Sequence, residues 1–216
     1  MERGAGVVVL VPRNAAGRGG CHARVAVVFA LALAGAAPAH AGAAQPLDEA
    51  LARAFPGARF EPRTLALSGE DVRAVEARAH ARCEPRLITA YVAWRGDTLA
   101  GAAWTDRRVI RTREAVLLLA VAPDTSLVRV DVLAFFEPPE YQPASRWLAL
   151  FRGRGSRKPL TPQRPVPVVA GVTLSSRAVN EAARLALAWY EVLLAPRLAS
   201  QARDAAVKRT PGGGQP

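Results

Sequence analysis

Cysteine and histidine are scarce in this 216-residue chain: Cys21 and Cys83, then His22, His40 and His80, are all it has. Cys21, His22 and His40 lie in an N-terminal stretch that reads as a removable leader, so the mature chain keeps one thiol and one imidazole. A single cysteine excludes an internal disulfide. A single histidine excludes most metal and haem chemistry, and a Ser-His-Asp hydrolase would need His80 beside a serine nucleophile, for which no Gly-x-Ser-x-Gly is present. A P-loop, a Gly-x-Gly-x-x-Gly fingerprint and a Cys-x-x-Cys-His haem site are missing as well. Lysine occurs only at Lys158 and Lys208, so the net charge of +11 is carried by arginine. These arginines are scattered among alanines in the manner of a GC-rich genome, and no nucleic-acid partner is expected.

The leader consists of Arg13, Arg18 and Arg24, an apolar stretch over residues 25–37, and Ala39-His40-Ala41, an A-x-A cleavage pattern. It predicts a signal peptide over residues 1–41, with an uncleaved membrane anchor as the alternative. The stretch is short of the roughly 20 residues a spanning helix needs. No Arg-Arg pair precedes it, so the general secretory route and a periplasmic or extracytoplasmic location follow. Removing residues 1–41 takes away four arginines and Glu2, which lowers the charge from +11 to +8. One domain over residues 42–200 and a disordered tail over 201–216 are expected.

Within that domain, Leu47, Leu51 and Phe55 predict a small helix stopped by Pro56-Gly57. Ser68 and Asp71 have capping-box spacing and open a helix with Val72, Val75, Ala79 and Cys83 on its apolar face, and with His80 solvated on its flank. Strands follow over Ile88 to Trp94, Leu99 to Trp104, residues 115–122 and residues 127–136, with Gly96-Asp97 and residues 123–126 as turns and Asp106-Arg107-Arg108 as a break. The expected fold class is α+β: an antiparallel meander packed against helices on one face. Pro138-Pro139 ends the sheet, and Trp147, Leu148 and Phe151 suggest a short helix beneath it. Residues 152–158 form a basic, glycine-bearing loop suited to a phosphate or an acidic redox partner, or simply solvated. The prolines of residues 159–167 imply an extended run. Val179, Ala183, Leu187, Tyr190 and Leu194 mark a long helix from Arg177 to a stop at Pro196.

The chemistry-bearing segment lies just before that helix. Gly171 allows close backbone approach, and the N-H groups of the following residues converge with the positive helix end, an arrangement suited to phosphate. Thr173, Ser175 and Ser176 add hydroxyls that bond phosphate oxygens or, in the plainer reading, cap the helix.

Ala170-Gly171-Val172-Thr173-Leu174-Ser175-Ser176 resembles the attachment segment of the FMN-binding domain family, found in flavin-carrying subunits of sodium-translocating quinone reductases and Rnf-type complexes and in small exported relatives. Phe55-Pro56-Gly57-Ala58, the strands around Gly101, the 117–133 hairpin, and Phe136 to Tyr141 followed by Trp147 and Phe151-Arg152-Gly153 occur in the family's order. The resemblance implies an FMN cofactor, esterified through its phosphate to Thr173 by a flavin transferase that uses FAD. It implies cofactor contacts from Gly171, Val172, Thr173, Leu174 and Ser175, with Glu137 and Tyr141 lining the flavin. Ala170 stands where relatives commonly have serine or threonine, and Pro167 where they have aspartate; both departures bear on covalent attachment rather than on flavin binding. The function expected is an exported electron carrier serving a membrane or periplasmic redox protein, with membrane association possible. The alternative is a non-redox binding or docking module that keeps the fold but has lost flavinylation.

Overall fold

The computed structural model describes residues 46–201. The leader and residues 202–216 lie outside the described residues, whereas Gln201, expected in the tail, is helical. The architecture is α+β: a five-stranded antiparallel meander in which β1 (Arg59–Ala66), β2 (Leu87–Arg95), β3 (Thr98–Val109), β4 (Glu114–Val121) and β5 (Leu127–Phe135) lie side by side in chain order. Period-two alternation sends successive side chains to opposite faces. Ala90, Val92, Ala102, Trp104, Leu117 and Leu119 line one face; Ala93, Ala103, Leu118 and Ala120 line the other.

Helices cover both faces rather than one. The first face is covered by α2 (Gly69–Ala79) and α4 (Thr173–Ala188), and the second by α1 (Leu47–Ala54) with Phe55. α1 comes this close because Gly101, at φ +144°, has no side chain: a Cβ there would lie 2.3 Å from Val121 O and 2.7 Å from the Phe55 ring. The register shift between Ala93 and Trp94 lies opposite the same glycine.

β1 adds a strand that its sequence does not advertise, since Arg59, Glu61, Pro62 and Arg63 interrupt its apolar pattern. Those residues suit an edge strand, where charge and proline discourage further pairing. Asp106-Arg107-Arg108 continues β3 instead of breaking it. Asp106 and Arg108 form an ion pair on this half-covered stretch, and Arg108 also reaches Glu181 of α4 at 3.2 Å.

The capping box of α2 is present, with the Ser68 and Asp71 side chains and backbone N-H groups bonded reciprocally. α2 ends at Ala79 because His80 turns left-handed at φ 49°. Cys83 is therefore buried in the core but not on the helix, its N-H held by Glu76 at 2.9 Å. The proline-rich segment is not extended throughout: Arg164 N donates to Thr161 O at 3.0 Å around a turn carrying Pro162.

α3 (Ser145–Leu148) and the 3-10 turn Ala149–Phe151 bring Trp147 and Phe151 into T-shaped contact at 5.2 Å in the core. α4 begins at Thr173 and buries Val179, Ala183 and Leu187, each large apolar side chain contributing about 1.5–3 kcal/mol on burial. Pro196 does not stop the helix. The backbone widens into a π-helical stretch over Trp189–Leu194 and residues 195–201 remain helical. The widened turn includes Val192, the residue whose carbonyl a proline at 196 would crowd in a regular helix.

Candidate cofactor site

The approach to α4 is fixed by two side chains. Asn180, 3% exposed, accepts from Val166 N at 2.8 Å and donates to Val166 O at 3.0 Å and Ser176 O at 2.9 Å. Trp147 Nε1 donates to Pro167 O at 2.7 Å. The chain then leaves the core: Val168, Val169, Ala170 and Gly171 are all exposed. Val172 N donates back to Val169 O at 3.2 Å, closing a turn in which Gly171 adopts φ +84°. A Cβ at position 171 would meet nothing within 4 Å, so glycine is required here by conformation and not by space.

The helix so launched is not capped by a side chain. Val172 occupies the N-cap position, in contrast to the complete box of α2. Ser175 Oγ donates to Tyr141 O at 2.6 Å and Ser176 Oγ to Val172 O at 2.9 Å, and both serines are buried. Thr173 Oγ1 makes only a long contact of 3.5 Å with Val169 O and is half-buried. The capping reading of these hydroxyls therefore does not hold. The N-H groups of Thr173, Leu174 and Ser175 have no acceptor among the described residues, which leaves the positive end of a 16-residue helix open.

A cleft of about 500 Å³ opens beside this turn. Val169, Gly171 and Val172 line the cleft together with Pro143, Trp147 and Leu150, and Arg146, which makes no ion pair among the described residues, lines it as well. Leu150 is 51% exposed and Leu174 48%, so the surroundings are an apolar patch at the surface. The volume lies in the range of small-molecule sites.

Glu137 and Tyr141 belong to the same neighbourhood through a chain of contacts. Glu137 Oε1 accepts from the backbone N-H groups of Thr112 at 2.6 Å, Arg113 at 2.8 Å and Arg111 at 3.0 Å, pinning the β3–β4 turn to the end of β5. These bonds, those from Thr112 and Arg113 foremost, hold its carboxyl below the ordinary glutamate range. The Arg111 guanidinium lies over the Tyr141 ring at 4.5 Å, and Tyr141 O accepts from Ser175. Neither Glu137 nor Tyr141 lines the cleft; Glu140, Gln142, Arg146 and Trp147 do. Of these, only Trp147 carried a signal in the sequence, as a core aromatic.

The N-H groups at the start of α4 and Arg146 suit a phosphate, and the apolar walls suit a flat ring system; Thr173, Leu174 and Ser175 adjoin the cleft through Val172 but do not line it, and Glu140 does. A second cleft of about 420 Å³ between β3 and α4 offers less, because Arg108 pairs with Asp106 and Glu181, and Arg107 with Glu114. Among the described residues, no group of acidic, histidine and cysteine side chains could hold a metal ion, and no helix is long and apolar enough to cross a membrane.

Fold and site together define an α+β domain with an open helix N-terminus beside a largely apolar cleft. Comparisons with family models, curated proteins and solved structures found no significant match.

Proposed function

We propose that the chain is an exported flavoprotein electron carrier that holds FMN through a phosphoester to Thr173 and exchanges electrons with a membrane or periplasmic redox protein. The observation that carries this reading is the uncapped start of α4, where Thr173 follows directly on the cleft-lining Val172 and its hydroxyl makes only a long bond to Val169 O. When bound, the flavin supplies reversible one- or two-electron redox chemistry. The protein's part is to hold and orient it. Thr173 Oγ1 would be the acceptor: attachment would bond it to the FMN-side phosphorus of FAD and break the pyrophosphate linkage, with AMP as leaving group and the hydroxyl proton lost to solvent. The N-H groups of Thr173, Leu174 and Ser175 would offset the charge of a phosphoester held at Thr173.

The departures at Ala170 and Pro167 favour a second reading, an exported binding or docking module without covalent flavin. Pro167 has a structural task of its own, since its carbonyl anchors Trp147. Co-expression of the full chain with a flavin transferase, followed by denaturation, separates the two. Covalent attachment predicts yellow fluorescence and the mass increase of one FMN on the polypeptide, lost in Thr173→Ala and kept in Thr173→Ser. Retention in Thr173→Ala refutes the assignment of the acceptor, flavin released on denaturation leaves a non-covalent carrier, and a wild type that never acquires flavin supports the docking module.

A further inference from the structure

Residues 152–158 carry Arg152, Arg154, Arg157 and Lys158. A solvated loop with this density of like charge relieves repulsion by moving. Here the backbone is tied to the β4–β5 turn. Gly153 N donates to Leu127 O at 2.8 Å, Leu127 N to Arg154 O at 2.7 Å, and Ser156 N to Thr125 O at 3.1 Å. Ser156 Oγ donates to Asp124 O at 2.6 Å, and Gly155 N closes on Lys158 O at 3.0 Å. Gly155, at φ +144°, is pressed so closely on the turn that a Cβ would lie 2.0 Å from Thr125 O.

The cations on this fixed backbone have no counter-charge. None of the four makes an ion pair or a side-chain hydrogen bond among the described residues, whereas nearby Arg129 is paired with Asp131 at 2.5 Å. Arg154 Nε is shielded from solvent and still meets no acceptor. Holding like charges together in a chain of net charge +11 is unfavourable for the isolated protein, and preorganisation of this kind lowers the ordering cost of binding an opposite surface. The loop also leaves directly from the turn whose Leu150 lines the proposed cofactor cleft.

The geometry points to a docking loop: residues 152–158 are a cationic contact on a tethered backbone for an acidic protein surface, that of the redox partner implied by the electron-carrier reading on which this inference rests. A protein suits the loop better than a lipid layer does. Cations carried on a fixed backbone can match carboxylates on a folded partner, while interfacial membrane binding relies on apolar side chains among the cations, and residues 152–158 contain none.

The test uses the full chain, with and without flavin, and a fluorescein-labelled deca-glutamate peptide followed by anisotropy. Neutralising the loop (Arg152, Arg154, Arg157 and Lys158→Gln) should weaken binding at least about tenfold at low ionic strength, within the range of electrostatic steering. A control that neutralises Arg73, Arg82, Arg86 and Arg95, of which the first three form a second cationic group interspersed with Glu76 and Glu84, should change it by less than about twofold. Raising ionic strength from about 0.01 M to about 0.15 M shortens the screening length from about 30 Å to about 8 Å and should abolish the difference between wild type and loop variant. Equal losses in both variants overturn the proposal, as does tighter loop-dependent binding to phosphatidylglycerol vesicles than to the peptide. Circular dichroism confirms that each variant is folded, and the single variant Arg157→Glu, expected to weaken binding without touching the backbone bonds, repeats the test if the quadruple variant is not. Loop-dependent binding in a chain that never takes up flavin defeats the carrier reading alone; loop-independent binding in flavin-loaded protein defeats the docking loop alone.

Discussion

Asn180 is a single side chain on which the position of the candidate site depends, and its replacement has a calculable cost. Val166 is fully buried, and both its backbone N-H and its C=O are satisfied by the Asn180 amide. Asn180→Ala leaves these two groups without partners in a place that water does not reach. At about 1–3 kcal/mol for each of the two orphaned buried groups, the loss is about 2–6 kcal/mol. That is a substantial part of the ~5–15 kcal/mol that stabilises an ordinary domain. With a fall of about 2–4 °C per kcal/mol for a domain of this size, the melting temperature should drop by about 4–24 °C. Urea unfolding measures the first quantity and amide hydrogen exchange at Val166 locates it. Asn180→Asp provides the internal check, because it keeps the acceptor for Val166 N but turns a carboxylate oxygen toward Val166 O and Ser176 O. Its buried carboxyl should titrate above the ordinary aspartate range in the folded state, so the extra instability should be full at neutral pH and be relieved as pH falls through that raised pKa. A loss below about 0.5 kcal/mol in Asn180→Ala, with Val166 still protected from exchange, would refute the clamp, since a change of that size is typical of unconstrained surface positions.

Gly101→Ala should destabilise by about 2–4 kcal/mol, combining overpacking against Val121 O and Phe55 with a backbone angle unfavourable to alanine. Gly57→Ala, with open space around it, should lose only about 1 kcal/mol, and equal urea midpoints for the two variants would contradict the packing account. Glu137 is held ionised by backbone N-H groups in the folded state, so its stabilisation is complete above the ordinary glutamate range and is lost as pH falls through its depressed pKa. Glu137→Gln should therefore flatten the acid limb of the stability-pH curve, and an unchanged limb would show that these bonds do not contribute.

The sheet was legible wherever apolar residues run or alternate without interruption. Residues 115–122 and 127–136 declare β4 and β5, and the Ser68–Asp71 spacing declares α2 because a capping box is a local device. What stayed hidden depends on partners distant in sequence. β1 is written in arginine, glutamate and proline because it is an edge, and Asp106-Arg107-Arg108 stays in its strand because Arg108 has both Asp106 and, some seventy residues on, Glu181 to pair with. His80 ends α2 early through a backbone angle that no pattern announces. At the site, Gly171 and Thr173 were visible as a turn before a helix, and their surroundings were not. The reach of Glu137 back to residues 111–113, the Asn180 clamp and the presence of Arg146 in the cleft follow only from the folded chain.

The order of the strands has a kinetic consequence. Because each strand pairs with the one made just before it, the sheet can assemble along the chain, with few of the distant pairings that slow the folding of other β-rich domains. α4 is the exception: it comes last and covers strands laid down much earlier, and it carries Thr173 in its first turn. The hydroxyl proposed to take the cofactor is thus brought into place by the same docking event that completes the larger core. A modifying enzyme that reads the assembled turn would meet it only on chains that have finished folding, which makes maturation a check on the fold itself.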